Sequence, residues 1–453
     1  MLIRLAKEWF GDFNKQELKK FFLLGLAFGF IIGIYWTLRV AKDSVFMSVV
    51  GREYLGWAKI VSLIFLLPIV IVYSKMLDRF PRHRILYVLS IFYALCTLIF
   101  GFLFFHPVIG LTNTDLSPYR LVGWAWYVFV ESYGSLMAAA FWAFATDTTS
   151  PDGARKGFPF VVLVAQTVSV LGPLFLAPLA RPDRLGSTAY VVVICGALIF
   201  MVLLLIALFV RVVPAQEMVG YKEADRDNEK ESSPGFFEGL RLLISQPYLL
   251  GIFSIIAIYE AIITIIDFNF KNMVGETMLT EATRMSYLGE YALWVNVISA
   301  LCLLLGAGNI QRRLGLRVSL MVMPFIVGGA VWMFYAYQVV HVLFWIMVAA
   351  KALNYAINAP SMKQLYVPTS KNAKYKSQAW IETFGSRSSK ASGSMVNNCR
   401  APLVRLFGSH TGVQLYLLMS VGVSTILLVV WLGIAFYLGT SYMRAVKKKQ
   451  VIC

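Results

Sequence analysis

The chain has 453 residues, of which 58% are hydrophobic, and its mean hydropathy is +0.69. Many apolar runs approach the length of about 20 residues that a helix needs to cross a bilayer, which excludes a soluble protein and predicts an all-α polytopic membrane protein. The formal net charge is +17, but most of the 41 Lys and Arg residues fall in segments predicted to be cytoplasmic, as the positive-inside rule describes. The charge therefore indicates an orientation with both termini in the cytoplasm, and it gives no support for a nucleic-acid partner.

The N-terminal half of the chain carries six predicted spans. Residues 1–20 are mixed charged and apolar, and we expect this segment to lie as an amphipathic lead-in on the cytoplasmic face. We expect residues 21–211 to form one six-helix half. The six spans cover residues 21–40, 57–74, 85–105, 121–145, 158–180 and 188–210.

The second half repeats this organisation after a polar linker. Residues 212–246 include the longest polar stretch, with charges of both signs, which is typical of a solvated linker and not of a binding site. We expect residues 247–440 to form the second six-helix half and residues 441–453 to form a basic cytoplasmic tail. The six spans of this half cover residues 248–270, 287–305, 318–337, 341–358, 379–402 and 412–439.

Two features of this second half refine the prediction. An amphipathic approach, Phe236–Ser245, precedes its first span. The span at 379–402 is the most polar of the twelve, and such a segment can cross a membrane only where it lines water or protein.

The turns that follow the second span of each half are similar. SKMLDRFP at residues 74–81 and GNIQRRLG at residues 308–315 both resemble the G-x-x-x-D-R-x-G-R-R turn of the major facilitator superfamily. Together with twelve spans and a central linker, this internal repeat predicts two six-helix pseudo-repeats that enclose a cavity near the midplane of the membrane.

Charged residues inside the predicted helices indicate where a substrate binds. An ionisable group at membrane depth costs about 2.5–3.5 kcal/mol on insertion scales, so it normally faces a watery cavity or a partner. Most of these residues are cationic, which favours a polyanionic substrate because lysine and arginine bind phosphate. The residues are Arg39, Lys42, Glu131, Asp267, Lys271, Lys351, Arg387 and Lys390.

Purely structural roles are an alternative for several of these residues. Arg39 and Lys42 could snorkel from the end of the first helix, and Glu131 could form a contact between helices. Lys351 could pair with a carboxylate, and Lys271 could lie outside the membrane.

Three aromatic residues near these charges are candidates for stacking on a nucleotide base. They are Tyr35, Trp36 and Phe270. The alternative, at least as well supported by the sequence, is that their rings fill helix interfaces.

Four segments match, in order, the motifs of one known family. LRVAKDSV (38–45) looks like L-R-x-x-K-D, and ESYGSLMAAAFWAFA (131–145) is similar to E-L-W-G-S…F-W-G-F-A. ITIIDFNFK (263–271) resembles I-N-L-V-E-V-T-W-K, and KSQAWIETFGSRSSKASG (376–393) looks like K-G-K-A-A-I-D-V-V-x-x-x-x-G-K-S-G-G. On these motifs the chain resembles the bacterial and plastid ATP/ADP translocases, as a divergent member.

The resemblance implies that two lysines and two acids are critical for transport. Lys42 and Glu131 match directly, and Asp267 stands where the family has a glutamate. Gln378 replaces the second lysine of K-G-K, which leaves Lys376 as the nearest candidate.

The tenth span departs from the family's pattern. The family's K-Y-S-x-x-D-P-T-K-E reads NYAINAPSMK at residues 354–363, so Asn354 stands in place of a lysine. Lys351 lies one turn earlier. Asn354 is therefore included among the candidate substrate-binding residues.

The sequence thus predicts a monomeric nucleotide antiporter of the ATP/ADP type in the inner (cytoplasmic) membrane. It would work by alternating access, without a cofactor or metal. An alternative is a proton-coupled importer of nucleotides or of another anionic, phosphorylated metabolite. An enzyme is not expected, because the sequence has no P-loop, no metal-ligand spacing and no nucleophile with a base.

Overall fold

The computed structural model is helical throughout its described part and has no strand there. It describes residues 13–149, 151–214, 218, 236–304, 307–366, 368–369, 381, 385–448 and 451–452. The first half of the chain forms helices α1 (Lys15–Val49), α2 (Leu55–Arg79), α3 (Arg82–Phe104), α4 (Leu121–Asp147), α5 (Pro151–Leu171) and α6 (Thr188–Val212). The second half forms α7 (Phe236–Ser245), α8 (Pro247–Thr277), α9 (Glu281–Leu304), α10 (Ala307–Ala336), α11 (Val340–Leu353), α12 (Ala359–Leu365), α13 (Ser386–Asn398), α14 (Arg400–Phe407) and α15 (Ser409–Lys448).

The helices fall at the positions predicted for the twelve spans. Within the described ranges, nine helices are long and apolar enough to cross a membrane. The three remaining predicted spans correspond to α9, to the shorter apolar helix α11 and to α13. The protein is therefore an all-α polytopic membrane protein, as the sequence predicts.

Helix α1 is longer than the sequence indicates. It starts at a capping box, in which the Asn14 side chain accepts from the backbone N–H of Glu17 (2.6 Å) and the Glu17 carboxylate accepts from the Asn14 N–H (3.0 Å). Its predicted end near residue 40 is wrong, because the helix continues to Val49. The residues after Asp43 are mostly apolar and buried, so the charged residues interrupt the apolar run without ending the helix.

The chain divides into two compact units. The first comprises the described residues within 1–51, 64–231 and 278–293, and the second those within 52–63, 232–277 and 294–453. The first turns of α2 thus belong to the second unit, and the first turns of α9 belong to the first unit.

In the first unit, α1 packs closely on α5 through a ladder of glycines. Gly25, Gly29 and Gly33 recur at every fourth position, so they lie on one face of α1. A Cβ added at Gly25 would lie 2.7 Å from the Cβ of Val164, and one at Gly33 would lie 3.3 Å from the Cα of Ser169. Small residues at this spacing allow two membrane helices to approach closely.

We expect Gly29→Leu to destabilise the protein, because the site has no room for a side chain. Overpacking of this kind typically costs about 1–3 kcal/mol. Thermal unfolding of the purified protein measures the effect. Gly422→Leu on α15 is the matched control, because a Cβ at Gly422 meets no atom within 4 Å. Equal unfolding temperatures for the two variants would contradict the close packing of α1 on α5.

In the second unit, polar groups of helix α13 form hydrogen bonds with neighbouring parts of the protein. Asn397 donates to the backbone carbonyl of Thr264 on α8 (3.1 Å) and accepts from the Tyr416 hydroxyl (2.9 Å). Asn269 on α8 donates to the same hydroxyl (3.0 Å). Gly393 lies against the backbone of Ala261, where a Cβ would be 2.6 Å from the carbonyl oxygen. These contacts explain how so polar a segment is accommodated.

Candidate functional site

In the first unit, a buried lysine on α1 pairs with a glutamate on α4. Lys42 Nζ donates to Glu131 Oε1, and its side chain is 4% exposed against 24% for Glu131. The Asp43 carboxylate lies 3.8 Å from the same ammonium, and the Tyr127 ring centroid lies 4.1 Å from it. A buried ammonium needs such compensation, because an unpaired charge away from water costs several kcal/mol.

Lys42 does not snorkel from a helix end, since α1 continues to Val49 beyond it. Glu131 does form a contact between helices, which was the alternative to a role in substrate binding. The residue that it contacts on the other helix is Lys42, which is itself a candidate substrate-binding residue.

The candidate aromatic residues of α1 pack within the first unit. The Arg39 guanidinium lies 5.0 Å from the Trp36 ring centroid, close enough for a cation–π contact. The Tyr35 ring packs so closely on Gly134 of α4 that a Cβ there would overlap it. Both rings therefore have structural partners, and stacking on a base stays a prediction for them.

In the second unit, one aspartate is shared by three lysines from three helices. Asp267 on α8 lies 2.6 Å from Lys271 Nζ, one turn along the same helix, and 2.9 Å from Lys351 Nζ on α11. Lys59 Nζ on α2 lies 3.6 Å from Asp267 Oδ2. We call these four residues the Asp267 cluster.

This geometry decides one of the alternatives that the sequence left open. Lys271 is buried within α8, which continues to Thr277, and its depth in the membrane stays a prediction. Lys351 does pair with a carboxylate, that of Asp267. The neighbouring Phe270 is fully buried, so its ring offers no open face in this structure, and its stacking on a base stays a prediction.

The ion pairs of the two halves are related, with their charges reversed. Helices α1 and α4 are the first and fourth spans of the N-terminal half, and α8 and α11 are the first and fourth spans of the C-terminal half. Lys42 on α1 pairs with the acid on α4, whereas the acid Asp267 on α8 pairs with the lysine on α11. The internal repeat predicted from the turns thus extends to the buried charges.

The remaining candidates lie directly after α11, on α13 or outside the described residues. Asn354 starts a π-helical turn directly after α11, and its Oδ1 accepts from Asn358 Nδ2 (2.8 Å). Lys390 lies 3.7 Å from Glu260 on α8, and Arg387 is partly buried on the same helix α13. Lys376 lies outside the described residues. A role in substrate binding stays a prediction for each of these residues.

Two charged residues were missed by the sequence interpretation. Lys59 belongs to the Asp267 cluster, and Glu260 accepts from the Ser386 hydroxyl (3.0 Å) and faces Lys390. Both stand inside apolar helices, so the signal that selected the other candidates, an ionisable group at membrane depth, also applied to them.

Comparison with known proteins identifies the family. Residues 5–347 match the sequence model of the TLC ATP/ADP transporter family. The chain belongs to this family. It is therefore a membrane transporter and not an enzyme, as predicted.

ADP,ATP carrier proteins from Rickettsia align with this chain over nearly its whole length. ADP,ATP carrier protein 4 of Rickettsia bellii is 22% identical, with 99% of this chain and 95% of the relative covered. ADP,ATP carrier protein 1 of Rickettsia prowazekii is 21% identical, with 96% of each covered. The low identity over full length agrees with a divergent member of the TLC ATP/ADP transporter family.

Solved structures show the same fold at low sequence identity. A bacterial homologue of the iron transporter ferroportin, in an inward-facing state, superimposes with a TM-score of 0.63 at 13% identity, covering 93% of this chain and 100% of that one. The nucleoside transporter NupG superimposes with a TM-score of 0.60 at 12% identity, with the same coverage. This family member therefore has the major facilitator-like fold that the sequence predicts.

Proposed function

We propose that the chain exchanges nucleotides across the membrane, in the manner of an ATP/ADP antiporter that works by alternating access. The observation that carries the proposal is the pair of buried lysine–carboxylate clusters, one in each unit, in a fold built mostly from apolar helices. Lysine ammonium groups bind phosphate oxygens as point charges. Membership of the TLC ATP/ADP transporter family and the ADP,ATP carrier relatives support the same substrate class.

In this proposal the two carboxylates substitute for the substrate when it is absent. Unit charges about 4 Å apart interact by roughly 4 kcal/mol at an effective dielectric constant of 20. Glu131 and Asp267 therefore hold the lysines in place between transport cycles, and substrate phosphate competes with them for the same ammonium groups. A binding site rich in lysines should still be slow to reorient without a bound anion, which favours exchange over net transport.

Uptake into proteoliposomes tests the proposal. Purified protein is reconstituted, and uptake of radiolabelled ATP is compared between vesicles preloaded with ADP and empty vesicles. Uptake only into loaded vesicles is the expected result. Equal uptake into both contradicts exchange, and an absence of uptake by folded protein contradicts a nucleotide substrate.

Proton-coupled import of nucleotides or of another phosphorylated anion is the second candidate. The observation in its favour is that two carboxylates inside membrane helices, Glu131 and Asp267, contact the candidate lysines, and acids at such positions often serve as proton relays. Alkalinisation of the external medium on addition of substrate would support this candidate. A constant external pH during uptake would support exchange.

The proposal includes an orientation and an assembly state. The distribution of Lys and Arg along the sequence supports a cytoplasmic location for both termini, and we propose this orientation for a monomer in the inner (cytoplasmic) membrane. Ser117 lies between α3 and α4, which this orientation puts on the external side, and Lys447 lies in the predicted cytoplasmic tail. Accessibility of single cysteines placed at these two positions tests the orientation in intact cells.

A further inference from the structure

We infer that Glu260 on α8 binds the ribose hydroxyl groups of the transported nucleotide and thereby orients the nucleotide along this helix. The inference rests on the proposed function, because it assigns the nucleoside part of the substrate to a residue outside the two lysine–carboxylate clusters. Glu260 was not among the candidates from the sequence.

Glu260 lies two helical turns before Asp267 on the same face of α8. The two residues are seven positions apart, so their side chains leave the helix in nearly the same direction. A rise of 1.5 Å per residue separates their Cα atoms by about 10 Å along the helix axis. Both residues belong to the second unit. A nucleotide that lies along this face with its phosphates at the Asp267 cluster would therefore have its nucleoside near Glu260.

The Glu260 carboxylate can be reached by a ligand and can accept further hydrogen bonds. Its side chain is 21% exposed, against 6% for Asp267. Oε1 accepts from the Ser386 hydroxyl at 3.0 Å, and Oε2 lies 3.7 Å from Lys390 Nζ, which is beyond the usual hydrogen-bond distance. Because an ionised carboxylate has about four lone-pair sites, the Ser386 contact leaves capacity for a donor on the substrate.

The chemistry of these groups selects the ribose. The negative charge of Glu260 repels phosphate, so its ligand on a nucleotide is an uncharged hydrogen-bond donor. Ribose hydroxyls both donate and accept, and Glu260 offers an acceptor beside the donors of Ser386 and Lys390. Carboxylates bind ribose hydroxyls in the same way in dinucleotide-binding folds. The ribose is also the part of the nucleoside that is joined directly to the phosphate chain.

Helix α13 is fixed beside this carboxylate by its packing on α8. A Cβ added at Gly393 would lie 2.6 Å from the carbonyl oxygen of Ala261, and Asn397 donates to the carbonyl of Thr264 at 3.1 Å. Ser386, at the start of the same helix, is thus held at hydrogen-bond distance from Glu260 before the substrate arrives. Such preorganisation lowers the entropic cost of binding.

The test compares uptake of ATP with uptake of 2′,3′-dideoxy-ATP, which lacks both ribose hydroxyls, into ADP-loaded proteoliposomes. For the native chain we expect the KM for the dideoxy analogue to be about tenfold higher, the effect of losing a hydrogen bond to a charged group. Glu260→Met removes the carboxylate at similar side-chain length, so the ratio of the two KM values should fall to about one. Glu260→Gln keeps a neutral acceptor and should give an intermediate ratio.

Glu276→Met is the matched control, because it removes a carboxylate that is 46% exposed near the C-terminal end of the same helix. It should keep the native ratio. An unchanged ratio in folded Glu260→Met would overturn the inference. A changed preference between ATP and GTP at a native ratio would also overturn it, because Glu260 would then contact the base. Glu260→Gln provides the same comparison if the Met variant does not fold.

Thermal stabilisation of the protein in detergent separates the inference from the proposed function. ATP should stabilise the native protein more than 2′,3′-dideoxy-ATP or inorganic tripolyphosphate does, and Glu260→Met should lose this difference. That result without any nucleotide exchange would refute the proposed function and leave the ribose site. Nucleotide exchange with equal stabilisation by ATP and its dideoxy analogue would refute the ribose site and leave the proposed function.

Discussion

Replacement of Lys42 by alanine is expected to reduce nucleotide exchange about 100-fold while leaving the protein folded. The ammonium is almost completely buried on α1 and is bound by Glu131, so no surface lysine can replace it. A hydrogen bond to a charged group is worth roughly 1.5–3 kcal/mol, and its loss weakens phosphate binding by a factor of about 10–150. The exchange rate in ADP-loaded proteoliposomes measures the effect.

Two matched variants test whether the loss of exchange is specific to the buried ammonium group of Lys42. Lys19→Ala removes an exposed lysine from the same helix and should exchange at the native rate. Lys42→Arg keeps the positive charge but replaces a compact ammonium with a larger planar group, so it should recover only part of the activity. Native exchange in folded Lys42→Ala would rule out Lys42 as a phosphate ligand.

Glu131→Gln distinguishes the function of the carboxylate from that of the lysine. The amide keeps the shape of the side chain and can still accept from Lys42, but it removes the negative charge that holds the ammonium. We expect substrate to bind more tightly and to leave more slowly, so both KM and the maximal rate should fall. A raised KM would instead indicate that Glu131 contacts the substrate directly. The KM and the maximal rate in the exchange assay separate these outcomes.

The sequence predicts the fold well because each membrane-spanning helix requires a long apolar run, which is directly visible in the sequence. Apolar runs give the positions of the spans, and the two similar turns give the repeat. The ends of helices are predicted less well, because a charged residue inside a protein does not end a helix. Residues 44–49 after Asp43 continue α1, and the sequence alone does not show whether Lys42 faces lipid, water or a partner.

The charged residues are predicted as a set, but their pairings are not. Lys42 and Glu131 are 89 positions apart in the chain, and Asp267 and Lys351 are 84 apart. The first contact depends on which face of α1 packs against α4, and the second on which face of α8 packs against α11. A list of buried charges does not contain that information, and the reversal of charge between the halves became visible only once the helices were packed.

Lys59 is a second example of a charged residue whose contacts the sequence does not reveal. It lies near the start of an apolar helix, where a lysine often has only a snorkelling role. Its relation to Asp267 arises because the first turns of α2 belong to the second unit. Nothing in the sequence around residue 59 indicates that grouping.

Replacement of Asp267 is expected to destabilise the protein more than replacement of any one of its lysines. Asp267→Asn leaves three ammonium groups without their shared carboxylate, and loss of one partner from a buried ion pair costs about 3–5 kcal/mol. Lys351→Met leaves the aspartate with Lys271 at 2.6 Å and Lys59 at 3.6 Å, so its charge is still compensated. Thermal unfolding in detergent should therefore give a much larger decrease for Asp267→Asn than for Lys351→Met.

A double variant and a control on the same helix complete this test. Asp267→Asn combined with Lys351→Met should be more stable than Asp267→Asn alone, because it also removes one of the ammonium groups that had shared the lost carboxylate. Glu260→Gln, seven residues earlier on α8, should cost at most about 1 kcal/mol, since Glu260 is 21% exposed and its partner Lys390 is 43% exposed. If Asp267→Asn were no worse than Glu260→Gln, the carboxylate would not be the counterion of the cluster. The lysines would then be stabilised by other groups, and the idea that phosphate competes with Asp267 for them would lose its basis.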